Sequence, residues 1–156
     1  MIGQRGVSLM EILISLGIVS TLSAIAYPAV ADWSRSLDFR SEVSQLVCCL
    51  HRAKIEAVKT NSFVVVEARS NGYSIFVDNS RVPGQAGDWI RQPEERLIVA
   101  CTLKNGISLT SNFSNPANTM RFSGRPGIKA GRFILTDAGG RSMAVILSAS
   151  GRVRVE

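Results

Sequence analysis

An uncharged hydrophobic stretch runs from Ile12 to Ala31 near the start of the chain. Twenty residues in an α-helix span about 30 Å, which is the thickness of the hydrocarbon core of a membrane. Arg5 precedes the stretch, so we expect the short N-terminus in the cytoplasm and the C-terminal bulk outside. Two interpretations fit this stretch: a secretory signal cleaved near Ala24–Ala26, or a retained membrane helix. Glu11 favours the retained helix, because a carboxylate beside an apolar run is costly and usually functional.

Beyond Ala29, apolar residues recur every three or four positions, which predicts an amphipathic helix up to about Thr60 with Asn61 as its stop. They are Val30, Trp33, Leu37, Val43, Leu46, Val47, Leu50, Ala53, Ala57 and Val58. One long helix is therefore expected from near Val7 to near Thr60. A heptad coiled coil is the alternative, but the apolar face fits packing on a sheet better.

Past Asn61 the pattern changes to short runs of β-forming residues between turn residues. The expected strands are Phe63–Arg69, Tyr73–Asp78, Arg96–Leu103, Ile107–Thr110, Thr119–Phe122, Arg132–Thr136, Arg141–Leu147 and Arg152–Val155. The turn Ser70–Gly72 predicts a hairpin. The fold class is therefore α+β, with a long N-terminal helical spine packed on an antiparallel β-sheet. The expected segments are a membrane helix over 7–31, an amphipathic helix over 32–61 and a β-domain over 62–156.

The net charge of +6 comes entirely from the second half of the 156-residue chain. Residues 80–156 carry eleven basic and five acidic side chains, whereas residues 1–79 carry seven of each. A basic half on a small domain suggests a polyanionic partner. The single histidine, His51, has no Cys or His at ligand spacing. We therefore expect no metal, no cofactor and no enzyme activity.

The residues before the hydrophobic stretch resemble the class III leader of type IV pilins and pseudopilins. They are a short basic leader, Gly6, Val7, Glu11 and then an uncharged helix with Pro28. In that family a prepilin peptidase cuts after the glycine and methylates the new N-terminus, which here is Val7. The resemblance implies that Glu11 is the fifth residue of the mature chain. Pro28 then takes the place of the family's helix-kinking proline, and valine replaces the commoner phenylalanine after the cut.

The resemblance also implies a role for Glu11 and Pro28 in filament assembly. Cleavage creates an ammonium group at Val7, and in the family the glutamate neutralises this group on an adjacent subunit. An unpaired carboxylate is costly among apolar groups, so the pairing favours correct docking.

Several segments of the second half resemble the GspH/FimT group of minor pilins and pseudopilins. They are Arg52–Ala57, Gly72–Asn79 with Tyr73 in place of tryptophan, Arg121–Gly124 followed by Gly127, and Ser148–Arg154. The last segment resembles the Gly-Arg-x-Arg motif of the FimT branch, which is implicated in DNA capture during natural transformation.

The resemblance implies that Arg152 and Arg154 bind DNA. In a strand they would project from one face about 7 Å apart, which matches the spacing of successive phosphates. Gly151 would supply the turn that presents them, and Arg141 and Arg132 are the further candidates, because the planar fork of arginine binds phosphate well. The alternative is a solvated strand edge that charge protects against aggregation.

The three cysteines leave two interpretations open. The β-domain is expected in an oxidising periplasm, where disulfides form. Cys48 and Cys49 are adjacent on a helix, so their side chains diverge by about 100° and at most one faces the sheet. One interpretation is a bridge from Cys101 to Cys48 or Cys49, and the other is three small buried apolar residues.

Together these patterns predict a minor pilin or pseudopilin that spans the inner membrane once, has a periplasmic C-terminal domain and enters a pilus or pseudopilus. The expected partners are other pilins of the filament, prepilin peptidase, the inner membrane and DNA, bound without sequence preference. A type II secretion pseudopilin that contacts secreted proteins is the alternative in the same class. A single-pass membrane binding protein with an uncut anchor is the alternative from another class.

We expect processing to remove residues 1–6. Mass spectrometry of membrane-extracted protein should find Val7 as the mature N-terminus, with N-methylation. Gly6→Leu should block the cut, because the peptidase has no room for a side chain at that position. An intact Met1 or a cut after Ala26 would contradict the pilin interpretation.

Overall fold

The computed structural model describes residues 8–79, 87–104, 106–113, 118–124 and 128–156. Its first element is one helix, α1, which runs from Leu9 to Thr60 over 52 residues. The helix ends in a Schellman motif: the N–H of Asn61 donates to the carbonyl of Val58, and the next N–H donates to that of Ala57. Asn61 has the left-handed φ of 46° that this cap requires. The predicted stop at Asn61 is therefore confirmed.

Residues up to Asp38 form a compact unit of their own. The apolar side chains of α1 in this unit are exposed, including Val30, Trp33 and Leu37, which the sequence pattern assigned to the packing face. Within the described ranges, α1 is the helix long and apolar enough to cross a membrane. The predicted start of the helix at Val7 lies outside the described residues.

From Phe39 onward, one face of α1 is buried in the second compact unit, Phe39–Glu156. The buried helix residues are Phe39, Glu42, Val43, Leu46, Leu50, Ala53 and Ala57. Their spacing of three and four residues is that of an amphipathic helix, as predicted, but Val58, which the pattern also assigned to this face, is exposed. All buried hydrophobic residues of the described chain lie in this unit. A fragment that begins at residue 34 therefore retains the whole hydrophobic core.

Eight strands follow in the described part of the chain. They are β1 Phe63–Arg69, β2 Gly72–Asp78, β3 Leu97–Thr102, β4 Ile107–Ser111, β5 Thr119–Phe122, β6 Gly131–Asp137, β7 Ser142–Leu147 and β8 Val153–Val155. Each agrees with a predicted strand to within one residue at either end. All pairings between them are antiparallel. The α+β fold class with an antiparallel β-domain is therefore confirmed.

The strands form two four-stranded sheets, with the orders β3-β2-β1-β5 and β4-β6-β7-β8. β3 and β4 are consecutive in sequence but lie in different sheets, so the turn between them is a crossover and β4 pairs with β6. Turn residues indicate where a strand ends, but they do not indicate which strand it pairs with. Both sheets contribute to one core, in which Ile75 on β2 and Phe133 on β6 are fully buried.

Two glycines in the segments that resemble the GspH/FimT group lie where backbones approach closely. A Cβ atom at Gly72 would lie 2.3 Å from the carbonyl oxygen of Cys101 on β3. A Cβ atom at Gly124 would lie 2.7 Å from Oδ1 of Asn61 and 3.3 Å from the carbonyl oxygen of Ala57. Glycine at these positions lets β2 pair with β3, and it lets the segment after β5 pack on the end of α1.

Gly72→Ala should destabilise the β-domain, because the new Cβ atom forces the β2 and β3 backbones apart. Overpacking of this kind costs about 1–3 kcal/mol, so the thermal midpoint of the fragment from residue 34 should fall by several degrees. Gly139→Ala is the matched control, because its Cβ atom would meet only the carboxylate of Asp137, at 3.3 Å. Equal midpoints for the two variants would contradict the close approach.

Candidate functional site

The predicted assembly residues lie in the first unit. Gly6 and Val7 are outside the described residues. Glu11 is exposed in the first turn of α1, where its charge interacts favourably with the helix dipole. Ser8 precedes the helix, and its Oγ accepts a hydrogen bond from the N–H of Met10 at 3.4 Å. Pro28 lies inside α1, which continues past it to Thr60.

Three of the predicted DNA-binding arginines lie on one exposed face of the β4-β6-β7-β8 sheet. Arg132 on β6 and Arg154 on β8 both lie opposite Ile146 on β7. Neighbouring strands are about 4.8 Å apart, so the two arginine Cα atoms are about 10 Å apart. Arg152 continues the pairing just before β8, since its carbonyl accepts the N–H of Ser148. Arg152 and Arg154 are two positions apart in the sequence, so both belong to the same face. We call Arg132, Arg152 and Arg154 the arginine face.

The turn between β7 and β8 depends on Gly151. The N–H of Gly151 donates to the carbonyl of Ser148 at 2.8 Å, and the N–H of Ser148 donates to that of Arg152 at 3.0 Å. With the left-handed φ of 76° at Gly151, this is a type I turn closed by a G1 bulge. Nζ of Lys54 on α1 donates to the Gly151 carbonyl at 3.0 Å. This bond ties the turn that carries Arg152 to the helix.

The arginine face has an uneven charge. Arg154 forms an ion pair with Glu156, two residues away on the same face. Arg132 and Arg152 are exposed and form no ion pair with any residue that the structure describes. Two guanidinium groups on this face are therefore available to an external anion.

Arg141, the fourth predicted arginine, lies away from the arginine face. It follows the turn at the far end of β6, about 17 Å along the strand from Arg132. Partial burial alone would raise the pKa of Asp137, but hydrogen bonds from the backbone N–H and guanidinium of Arg141 lower it below its usual value. The charge of Arg141 is thus already paired with this carboxylate.

Two of the three cysteines lie near Tyr73 on β2. The hydroxyl of Tyr73 donates to Sγ of Cys49 at 3.6 Å, and Tyr73 lies opposite Cys101 in the β2–β3 pairing. Burial raises the pKa of the Tyr73 hydroxyl and of the Cys49 thiol. Cys48 is exposed. This geometry favours Cys49 over Cys48 as the partner of Cys101. All three are free thiols in the structure, so the bridge stays a prediction.

A further cluster was not foreseen from the sequence. The guanidinium of Arg121 on β5 lies 4.1 Å from the ring centroid of Phe63 and 4.3 Å from that of Trp89. The sequence pattern placed Arg121 in the basic second half and in the segment Arg121–Gly124, and no periodicity links it to Trp89. In the described ranges, no three His, Cys, Asp or Glu side chains are grouped as metal ligands, and His51 is exposed.

A family model described as type II transport protein GspH matches residues 42–151. The pilin-like protein PilA1 of Thermus thermophilus is 30% identical over 171 aligned positions, which cover 98% of this chain and 99% of that protein.

Solved structures with the same fold include two minor subunits. The minor pseudopilin EpsH from the type 2 secretion system of Vibrio cholerae has a TM-score of 0.59 at 13% identity, covering 76% of this chain and 96% of its own. The type IV minor pilin FimU of Pseudomonas aeruginosa has a TM-score of 0.58 at 14% identity, covering 80% of this chain and 92% of its own. At these identities the likeness shows the fold alone.

Proposed function

The chain belongs to the GspH family of type IV pilin-like minor pseudopilins, and we propose that it binds DNA without sequence preference for uptake in natural transformation. Membership implies that it assembles with other pilins in a filament. We also propose that prepilin peptidase cuts after Gly6 and methylates Val7. In this proposal the helix anchors the chain in the inner membrane, the β-domain lies in the periplasm, and the protein has no catalytic role.

The observation that carries the DNA-binding proposal is the arginine face. Arg132 and Arg152 offer guanidinium forks that form no ion pair within the described residues, and such forks suit bidentate contact with phosphate oxygens. Ile146 lies between Arg132 and Arg154, so the centre of the face offers no competing charge. Contacts of this kind recognise the backbone and carry no information about base sequence.

The three guanidinium groups of the arginine face set the expected strength of DNA binding. Neutralising three phosphates of a duplex predicts a slope of roughly −2.7 in log K against log salt concentration. Binding should therefore be weak and lost readily at high salt. The pairing of Arg154 with Glu156 should weaken it further, because the carboxylate competes with phosphate for the same guanidinium.

A second function is favoured by the description of the family model, which names type II transport. In that case the chain would be a type II secretion pseudopilin that acts on secreted proteins. The two functions make different demands on the arginine face. Loss of its charges should lower transformation frequency while protein secretion stays unchanged if the DNA-binding proposal is right.

Replacing Arg152 and Arg154 by glutamine should weaken DNA binding by at least about tenfold, because charge-assisted hydrogen bonds to phosphate are lost. Fluorescence anisotropy with a labelled duplex at low salt measures this on the fragment from residue 34. The thermal midpoint should barely move, because exposed charges contribute little to stability. Glu156→Gln should strengthen binding by releasing Arg154.

Arg141→Gln is the matched control for this experiment. It removes one positive charge where the double variant removes two, and it removes it from a guanidinium that is already paired with Asp137 and distant from the arginine face. We expect near-normal DNA binding from this variant. A loss of binding free energy in Arg141→Gln that is half of the loss in the double variant would show that only the net charge matters. If the unmodified fragment does not bind DNA at low salt, the DNA-binding proposal fails and the secretion function is left.

Glu11→Ala should insert and be cleaved normally, since it makes the membrane segment more apolar, but it should enter filaments poorly. The reason is that the ammonium group at Val7 of a neighbouring subunit loses its partner. Co-purification with sheared filaments measures this, and Glu11→Asp is the control that keeps the charge. Normal incorporation of the alanine variant would contradict the pairing role.

A further inference from the structure

The unforeseen cluster forms a lined cleft on the β-domain. Phe63, Trp89 and Arg121 border a cavity of about 180 Å³, together with Ile128 and Lys129. The side chain of Phe63 is 38% exposed, and Trp89 is partly exposed. Two aromatic rings and a guanidinium therefore meet at a surface that solvent reaches. We call this the aromatic cleft.

Trp89 is held in the cleft in a strained conformation. Its φ is 72°, which is unfavourable for a bulky side chain and typically occurs where a function requires it. The buried carboxylate of Asp78 offsets this cost by accepting hydrogen bonds from the backbone N–H groups of Gly87, at 2.6 Å, and of Trp89, at 3.2 Å. Arg121 adds a bond to the Gly87 carbonyl at 3.3 Å. The ring of Trp89 is thus fixed in place before any ligand arrives.

The aromatic cleft lies beside the turn that carries Arg152. The N–H of Ile128, which lines the cleft, donates to the carbonyl of Ala149 at 3.0 Å. Three peptide bonds link Ala149 to Arg152, so their Cα atoms are at most about 11 Å apart. A strand of nucleic acid that contacts the arginine face can therefore reach the cleft within a few nucleotides.

We propose that the aromatic cleft binds an unstacked base of single-stranded DNA, with the phosphates running along the arginine face. The proposal rests on the DNA-binding function and adds a preference for single strands. A base in a duplex is stacked and paired, so its face is unavailable. A base in a single strand stacks readily on a fixed aromatic ring, and since Arg121 covers one face of the Trp89 ring, the base would stack on the other face. Arg121 and Lys129 give the cleft the positive charge that the backbone next to that base requires.

The fragment from residue 34 offers a direct probe, because Trp89 is its only tryptophan. Titration with a 12-nucleotide single strand should quench the Trp89 fluorescence, whereas an abasic strand of equal length should not. Removing one stacked base typically weakens binding by about tenfold. The abasic strand should therefore bind about tenfold more weakly than the strand with bases.

Trp89→Leu should lower the affinity for the single strand by about tenfold and leave duplex binding unchanged. Trp89→Phe keeps a ring and should retain most of the affinity, which separates stacking from any loss of loop structure in the leucine variant. Equal affinity of the leucine variant and the unmodified fragment for the single strand would overturn the inference. Equal quenching by a polyglutamate peptide would also overturn it, since the cleft would then recognise only negative charge.

Deoxyadenosine monophosphate tests the cleft separately from the arginine face. Quenching of Trp89 by this nucleotide in a fragment that carries Arg132→Gln and Arg152→Gln would support the cleft even if oligonucleotide binding is lost. If the duplex binds and Arg152→Gln weakens it, but neither the single strand nor the nucleotide affects Trp89, the DNA-binding function stands and the inference fails.

Discussion

Packing of the helix face between Phe39 and Ala57 on the two sheets is the contact on which the rest of the β-domain depends. Leu46, Leu50 and Ala53 on this face are fully buried, and they share one core with residues of both sheets. Each sheet must cover its apolar face, and the helix contributes to that cover for both. The small side chains of Ala53 and Ala57 allow a close approach. At the end of the helix, a Cβ atom at Gly124 would lie 2.7 Å from Oδ1 of Asn61 and 3.3 Å from the carbonyl oxygen of Ala57.

Polar contacts near the end of the same helix then fix two connecting segments, the one just before β3 and the turn between β7 and β8. Glu56 pairs with Arg96 just before β3, and the hydrogen bond from Arg96 lowers the pKa of Glu56. A lowered pKa means that the pairing stabilises the fold at neutral pH and that this contribution is lost as the pH falls through the folded-state pKa. Lys54, nearby on the helix, holds the carbonyl of Gly151. The geometry of the arginine face therefore depends on the packing of α1.

Local chemistry explains which parts of this structure could be predicted from the sequence. Asn61 at the helix end and the run of β-forming residues within Phe63–Arg69 are local signals, and both elements appear where they were predicted. The division into two sheets was not predictable, because the pairing of β4 with β6 is set by long-range packing and not by the turn that precedes β4. The aromatic cleft was missed for the same reason: Trp89 and Arg121 are distant in the sequence and meet only in the folded domain, where Asp78 accepts hydrogen bonds from the backbone N–H groups of Gly87 and Trp89.

Protection of a sheet edge is the simplest structural explanation for the C-terminal arginines, and the strand order tests it. β8 is an edge strand of its sheet, so charges on Arg152 and Arg154 do discourage edge-to-edge pairing. Arg132 does not fit this explanation, because β6 is paired on both sides and has no edge to protect. A solubilising surface would also tolerate paired charges, yet Arg132 and Arg152 have no acidic partner among the described residues. An external polyanion would account for both Arg132 and Arg152, whereas edge protection accounts only for Arg152.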